Sequence, residues 1–380
     1  MDLPCKSMFP RSREVAYLDT AAEGLLPSFA EEALATYYRD KSLGTSGRSR
    51  LYEEGHKCRK AAARMLGVNT EDVAFVASVS DGLNALANSI DWRPGDEVVT
   101  TDLEFPANVL AWLRLRHRGV RLRVVRSSRG TVTLDQFASA IGPATRLVTT
   151  SQVSYKSGAN FTYIPELAAE AHRAGAFFSL DVTQAAGRIP IPLAGVDYLV
   201  CSAYKWLLGI HGTALVYVAP EANARFAAPG VLGWYSVKDI FRPDRFETFE
   251  CKEGAGYLEA GMPNFASLYA LRRSLDLLNE AGVERLQSTL RPLVLSLRNC
   301  FAELGFDVLT PEDPTQQAGI VSFEHPEAER IGDALEQSGI VVWRGDGRVR
   351  ASVHLYNDAP DVETLVAALA SLAPANQVRR

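Results

Sequence analysis

The sequence lacks the features of a membrane, secreted or nucleic-acid-binding protein. No apolar run among its 380 residues approaches the roughly 20 that a membrane helix needs, and no apolar signal core precedes Asp19. The 45 aspartates and glutamates outnumber the 40 lysines and arginines, so a basic surface for nucleic acid is not expected. We therefore expect a cytoplasmic protein that acts on a small molecule.

Cysteine is scarce and shows no paired spacing, which argues against a disulfide framework or a zinc site, and we expect no metal. The five cysteines are Cys5, Cys58, Cys201, Cys251 and Cys300. A glycine-rich dinucleotide-binding turn is also missing, because "GTSGRS" at 44–49 has the wrong spacing and no strand before it. A nicotinamide-dependent dehydrogenase is therefore disfavoured.

Seven short apolar runs alternate with helical patterns in the first two thirds of the chain. They are 72–78, 96–101, 120–126, 146–154, 176–181, 197–202 and 213–218. Several are continuously apolar, which is typical of strands buried on both faces, so they predict a mostly parallel seven-stranded sheet covered by helices. After about residue 260, a long helical region is followed by short strands and helices. We expect an α/β protein with a large domain (20–257) and a smaller α+β domain (1–19 with 258–380).

Polar side chains follow two neighbouring predicted strands, at the edge of the sheet where ligands of α/β proteins collect. Asp181 and Gln184 follow one strand, and Ser202 and Lys205 follow the other. A lysine in a partly dry pocket becomes a usable amine nucleophile, able to form a Schiff base. Asp181 could pair with the pyridinium of pyridoxal phosphate and Gln184 with its ring hydroxyl. Either charged residue alone is usually a turn or surface residue, but the ordered set favours this cofactor.

A phosphate site is suggested by small residues between a predicted strand and a helix start, in "SVSDG" at 78–82. Helix N-terminal amides and hydroxyls bind phosphate readily. The alternative is an ordinary helix cap by Ser80. Ser202 could add a further hydroxyl to the same phosphate.

Eight segments along nearly the whole chain resemble, in order, the class V aminotransferase-like enzymes that use pyridoxal phosphate. They are "YLDTAAEGLLP", "SVSDGLNALANSI", "EFPANVLAW", "SQVSYKSGA", "LDVTQAAG", "CSAYKWLLGIHG", "EAGMPNF" and "VRASVHLYND". This group includes cysteine desulfurases, kynureninases and isopenicillin N epimerases. The resemblance implies the fold type I architecture and pyridoxal 5'-phosphate as cofactor.

The resemblance also implies a role for each matching residue. Lys205 carries the cofactor as a Schiff base and moves the proton at the substrate Cα. Asp181 holds the pyridinium, and Gln184 bonds the ring hydroxyl. The further cofactor contacts are Val79, Ser80 and Ser202 at the phosphate, with Phe105, Tyr155, Tyr204 and Met262. Arg350 binds the α-carboxylate of the substrate. The other substrate contacts are Ala22, Asn264 and His211.

Several positions depart from the family pattern. The stretch "GIVVWRGDGRVR" at 339–350 is short and lacks the cysteine that accepts sulfur in desulfurases, so a typical persulfide-forming desulfurase is not expected. Phe105 and Tyr204 stand where relatives have histidines, Tyr155 replaces an asparagine, and Met262 replaces a threonine that reaches the partner subunit's phosphate. Arg344 and Arg348 in the same stretch could recognise a second acidic group on the substrate, but we expect both to be solvated.

The resemblance leaves the reaction open. A class V aminotransferase-type reaction is the first choice, and an epimerase or a C–S or β-elimination lyase of the same fold is the alternative. A catalytically silent binding protein of the same fold is the alternative from another class. The resemblance also implies a homodimer, in which segments 233–237 and 261–264 complete the partner's site.

Overall fold

The computed structural model describes residues 5–372. A seven-stranded mixed sheet forms the centre of its larger part. The spatial order is β2-β8-β7-β6-β5-β3-β4. The strands are β2 (Val73–Val76), β3 (Glu97–Thr101), β4 (Arg121–Val125), β5 (Thr145–Ser151), β6 (Phe177–Asp181), β7 (Tyr198–Ser202) and β8 (Ala214–Val218). Only β8 runs antiparallel to its two neighbours, and the remaining pairs are parallel.

Helices flank this sheet and continue into the C-terminal part. They are α1 (Phe29–Ser42), α2 (Arg48–Leu66), α3 (Val79–Ser89), α4 (Ala107–Leu113), α5 (Leu134–Ala140), α6 (Ile164–Arg173), α7 (Pro220–Asn223), α8 (Phe265–Ala281), α9 (Val283–Glu303), α10 (Ala328–Gln337) and α11 (Ala359–Leu372). Short 3₁₀ turns occupy Lys6–Met8, Pro10–Arg13, Gly44–Gly47, Thr70–Asp72, Arg114–Arg118, Gly254–Leu258 and Pro314–Gln316. No helix between residues 5 and 372 is long and apolar enough to cross a membrane.

The strand composition explains the layered architecture. Every residue of β6, β7 and β8 is buried, which requires cover on both faces of the sheet. The seven apolar runs identified in the sequence each contain or overlap one strand, and β5 differs most because it ends at Ser151. The predicted α/β fold with a mostly parallel seven-stranded sheet is therefore confirmed.

A second, four-stranded antiparallel sheet lies in the C-terminal part, in the order β12-β13-β10-β9. Its strands are β9 (Asp307–Val308), β10 (Ile320–Glu324), β12 (Trp343–Gly345) and β13 (Arg348–Ser352). The N-terminal strand β1 (Ala16–Tyr17) pairs in parallel with β11 (Ile340–Val341), so the start of the described chain lies beside the C-terminal sheet. This pairing agrees with assigning residues 1–19 to the smaller domain, although the domain limits stay a prediction.

The segment from Asp19 to Gly24 runs from the C-terminal sheet to the large one. Asp19 forms a β-bridge with Ser352, and the amide of Ala21 donates to the Ser352 hydroxyl at 3.0 Å. At its other end the amide of Gly24 donates to the carbonyl of Tyr204 at 2.9 Å. A Cβ atom at Gly24 would overlap the carbonyl oxygen of Lys205, so only glycine permits this close approach.

Candidate active site

The carboxyl ends of β6 and β7 bring the predicted acid and lysine to one edge of the sheet. Asp181 is the last residue of β6 and pairs with Val200 of β7, and Lys205 lies in the turn after β7. A cavity of about 220 Å³ opens at this edge. It is lined by ten of the predicted site residues: Val79, Ser80, Phe105, Tyr155, Asp181, Gln184, Ser202, Tyr204, Lys205 and His211.

Lys205 is almost entirely removed from solvent, with 8% of its surface exposed. Burial, and next the charge of Arg350, lower the pKa of its amine to about 8. The Nζ atom lies 5.3 Å from the ring centre of Phe105 and 5.7 Å from that of Tyr204. A lysine in this state supplies far more neutral amine near pH 7 than a solvated one, as a nucleophile requires.

Asp181 is a buried carboxylate with few partners inside the protein. Its Oδ1 accepts the amide hydrogen of Thr183 at 2.8 Å. Burial raises its pKa, and bonds from Thr183 oppose that effect. A cation held in the cavity beside Asp181 would stabilise the ionised carboxylate, as the pyridinium of pyridoxal phosphate would.

Gln184 is held rigidly between two elements. Its Oε1 accepts the indole N–H of Trp206 at 2.6 Å, and its Nε2 donates to the carbonyl of Ala21 at 3.0 Å. These bonds fix the side chain at the cavity wall and leave one N–H of the amide for a ring oxygen. The sequence predicted Gln184 but neither of these two bonds.

The predicted phosphate end consists of the first turn of α3 and the end of β7. The cap of α3 is Ser78, whose Oγ accepts the amide hydrogen of Asp81 at 3.1 Å, so the expected alternative cap by Ser80 is wrong. This leaves Ser80 free of the capping role. The Oγ of Ser202 is buried and has no hydrogen-bond partner. An unsatisfied buried hydroxyl beside a helix N-terminus fits a bound phosphate.

Aromatic rings form the mouth of the cavity. Phe105 is 47% exposed, and its ring meets the edge of Tyr155 at a centre-to-centre distance of 5.3 Å. Tyr204 stacks on His211 at 4.3 Å, and the Nε2 of His211 lies 3.2 Å from a carboxylate oxygen of Glu23. The exposed face of Phe105 is therefore available to stack on a planar ring, while Tyr204 is held by His211.

Arg350 lies on β13 of the C-terminal sheet; it is not part of the cavity lining, but it bonds the backbone of Tyr155, which is. Its side chain is 4% exposed, and Nη1 donates to the carbonyl of Tyr155 at 2.9 Å. Its guanidinium lies 5.0 Å from the ring centre of Trp343. Arg348 is equally buried and bonds the carbonyl of Lys156 and the carboxylate of Asp346, so the expectation that it is solvated is wrong.

Besides Arg350, three predicted residues lie outside the lining of the 220 Å³ cavity. Ala22 donates its amide to the carbonyl of Asp19 in the connecting segment. Met262 and Asn264 line an adjoining cavity of about 570 Å³, which shares Ala77, Gly212 and Thr213 with the first. The side chain of Asn264 caps α8 by accepting the amide hydrogen of Ser267, so its oxygen is already used. Within one chain the structure does not bring these three residues to the cavity.

Sequence reasoning missed the largely buried carboxylate Asp19 near the site and gave no role to the buried Glu104. Asp19 pairs with Arg350, and its only signal was a position at the end of a short apolar run. Glu104 accepts bonds from the amide and hydroxyl of Ser151 and from Asn108. Burial raises the pKa of Glu104 to about 7, and it precedes Phe105 directly. No local pattern distinguishes a buried carboxylate from a solvated one.

These features define a pyridoxal phosphate-dependent protein of fold type I: a buried lysine and aspartate at adjacent strand ends, with a helix N-terminus facing them. Comparison with known proteins assigns the family. The family model described as "Aminotransferase class-V" matches residues 16–365 of the chain. The chain therefore belongs to this pyridoxal phosphate-dependent family.

Individual relatives agree with that assignment. The chain is 29% identical to the kynureninase of Geobacillus thermodenitrificans, over 96% of this chain and 90% of the relative. It is 28% identical to a cysteine desulfurase of Yersinia pestis, over 97% and 96% of the two chains. The solved apo structure of the cysteine desulfurase of Thermococcus onnurineus superposes with a TM-score of 0.89, at 26% identity over 98% of both chains. Similarity at this level supports transformation of an amino acid and leaves the type of reaction open.

Proposed function

We propose that the protein transforms an α-amino acid by an aminotransferase-type reaction in which Lys205 holds the cofactor covalently. The observation that carries this proposal is the burial of the Lys205 amine, which lowers its pKa to about 8 at the edge of a cavity that also contains Asp181. Bound pyridoxal phosphate supplies an electron sink that makes the substrate Cα–H bond acidic. A catalytically silent protein would have no need for a buried, poorly stabilised lysine.

Each remaining residue takes a positioning or proton-transfer role in this proposal. Asp181 would pair with the ring nitrogen of bound pyridoxal phosphate, and Phe105 would stack on its ring. Ser202 and the first-turn amides of α3 would hold the phosphate. Arg350 binds the α-carboxylate, for which a fixed guanidinium is well suited. Lys205 accepts and returns the Cα proton, because Phe105 cannot do so and no other amine lines the cavity among residues 5–372.

We also propose that the protein does not store sulfur as an enzyme-bound persulfide. Among residues 5–372 no cysteine lines the cavity. Cys201 lies closest in sequence to the cavity residues, but it is fully buried and its thiol contacts the carbonyls of Val182 and Ser202. Burial raises the pKa of that thiol strongly, which disfavours the reactive thiolate.

The decisive test is the visible spectrum of the purified protein, taken with pyridoxal phosphate and then with a panel of amino acids. We expect a yellow protein, and borohydride should fix the cofactor on Lys205 in a peptide map. Lys205→Ala should bind the cofactor without covalent attachment and lose turnover. A protein that gains no visible band with added cofactor, or near wild-type turnover in Lys205→Ala, would overturn the proposal and favour a silent binding protein.

A lyase is the second candidate, favoured by the desulfurase relatives. The same amino-acid panel separates the reactions. Lasting loss of the visible band with release of a keto acid indicates transamination. A band that returns, with release of sulfide or another fragment from the substrate side chain, indicates a lyase, and inversion of the amino acid indicates an epimerase.

We further propose that two copies of the chain form the working enzyme. Leu232, Trp234 and Met262 are apolar residues that are 41–51% exposed. Gly230, Val231 and Met262 line the 570 Å³ cavity that adjoins the site, so a partner seated there would reach the cofactor pocket. Light scattering should give twice the mass of one chain, and Trp234→Glu should weaken the association. A fully active monomer would refute the dimer.

A further inference from the structure

The ion pair between Arg350 and Asp19 is incomplete. The Nη2 of Arg350 lies 3.7 Å from the Oδ1 of Asp19, which is too far for a hydrogen bond. Asp19 Oδ1 and Arg350 Nε are both buried and neither has a hydrogen-bond partner. A buried guanidinium and carboxylate normally bond in a parallel fork, so this pair leaves bonding capacity on both sides unused.

The side chain of Asp19 is also poorly solvated, with 15% of its surface exposed. Burial raises the pKa of Asp19 to about 6, against the opposing charge of Arg350 and, more weakly, of Lys205. A carboxylate of this kind is ionised near pH 7, yet it gains a proton easily if Arg350 is taken away.

We propose that Asp19 is the internal counter-ion of Arg350, and that a substrate α-carboxylate binds by displacing it while Asp19 takes up a proton from solvent. This inference rests on the proposed role of Arg350. Without the proton, two carboxylates would share one buried guanidinium, and like charges at that distance are strongly disfavoured. Asp19 is thus a positioning residue that sets how carboxylate affinity depends on pH.

Apart from Lys205, the groups that act electrostatically on Asp19 and Arg350 are arginines and tyrosines. Glu23, in the same segment as Asp19, also has a pKa raised by burial, and its carboxylate pairs with His211. Burial raises the pKa values of Tyr17 and Tyr356 next to Asp19, so both phenols stay neutral. Tyr155 beside Arg350 also has a raised pKa through burial. Arg348 lies on the same strand as Arg350, and its guanidinium bonds the carboxylate of Asp346. Lys205 is engaged with the cofactor in the loaded enzyme.

The direction of the pH effect follows from linkage. Below pH 6 Asp19 is protonated and Arg350 is free to bind a carboxylate. Above pH 6 each carboxylate bound requires one proton, so the Kd should rise by about tenfold per pH unit until the pKa of Asp19 in the complex is reached. Removing the charge of Asp19 should remove this dependence and make binding at pH 7 about tenfold tighter.

The test measures binding of propionate, which has a carboxylate but no reacting amine, to the loaded enzyme between pH 5.5 and 8 by calorimetry. The variants are Asp19→Asn and Asp19→Ser. The matched control is Asp346→Asn. It removes the carboxylate that bonds Arg348, the other buried arginine of β13, which lies two positions before Arg350. We expect tighter, pH-independent binding in the Asp19 variants and the wild-type profile in the control. A residue with only a structural role would weaken binding when replaced.

A second measurement needs no variant. Infrared difference spectra of the wild-type enzyme at pH 7, with isotopically labelled propionate, should gain the carbonyl band of a neutral carboxylic acid on binding. Absence of that band, or an unchanged pH profile in both Asp19 variants, overturns the role of Asp19. If Arg350→Ala binds propionate as tightly as the wild type does, the proposed role of Arg350 fails instead.

Discussion

Replacing the buried lysine by an apolar residue of similar length should stabilise the cofactor-free protein. Because burial lowers the pKa of Lys205 from its ordinary 10.5 to about 8, the charged side chain is disfavoured by roughly 3 kcal/mol in the fold. Methionine fills nearly the same space without a charge. We therefore expect Lys205→Met to raise the free energy of unfolding by roughly 2–3 kcal/mol at pH 7.

The gain should disappear as the pH rises. Below pH 8 the lysine is charged in both the folded and the unfolded chain, so the wild type carries the full penalty of burying a charge. Between pH 8 and 10.5 the unfolded chain still holds the proton while the folded one has released it, so the wild type gains stability with pH. Above that range the two proteins should differ little.

Urea unfolding of the two cofactor-free proteins, at several pH values from 6.5 to 10.5, measures the effect. Lys60→Met is the matched control, because Lys60 is exposed on α2 and its replacement should leave the unfolding curve nearly unchanged. A Lys205→Met protein that is less stable than the wild type at pH 7 would refute the reasoning. A difference that does not shrink with pH would do so as well.

Two further substitutions test the geometry. Arg350→Ala should weaken binding of α-carboxylate substrates by about 2–5 kcal/mol. The KM of the substrate and the Kd of a carboxylate inhibitor measure this loss. Unchanged kinetics would mean that another cation binds the carboxylate. Gly24→Ala should lower the amount of visible cofactor band per chain, because the added Cβ overlaps the backbone of Lys205. Gly256→Ala, whose Cβ would lie 3.4 Å from the Lys252 side chain, should keep the band, and equal cofactor content in both variants would contradict this account.

The fold was predictable because each central strand carries its own signal. The residues of β6, β7 and β8 are apolar except for Ser179, Asp181 and Ser202, and burial on both faces favours that composition. The strand β1 could not be predicted in this way. It has two half-buried residues, and its pairing with Ile340 and Val341 joins positions more than 300 residues apart.

The cavity was predictable where a residue follows directly from a strand end, as Asp181 and Lys205 do. Contacts made across the molecule were not. Gln184 was assigned to the cofactor from its spacing, whereas its bonds to Trp206 and Ala21 depend on how three separate segments meet. Arg348 resembles a surface residue in sequence and becomes buried because Tyr155 and Trp343 cover it.

The segment from Asp19 to Gly24 has a practical consequence for anyone who shortens or rearranges this chain. It touches Arg350 at one end, Gln184 in the middle and the Lys205 turn at the other. A chain that began after Gly24 would keep every strand of the seven-stranded sheet, yet it would lose the contacts that tie the two sheets to a common site. Such a truncated protein should fold around its central sheet and still fail as an enzyme, so new termini and fusion points are better placed in the exposed loops far from this segment.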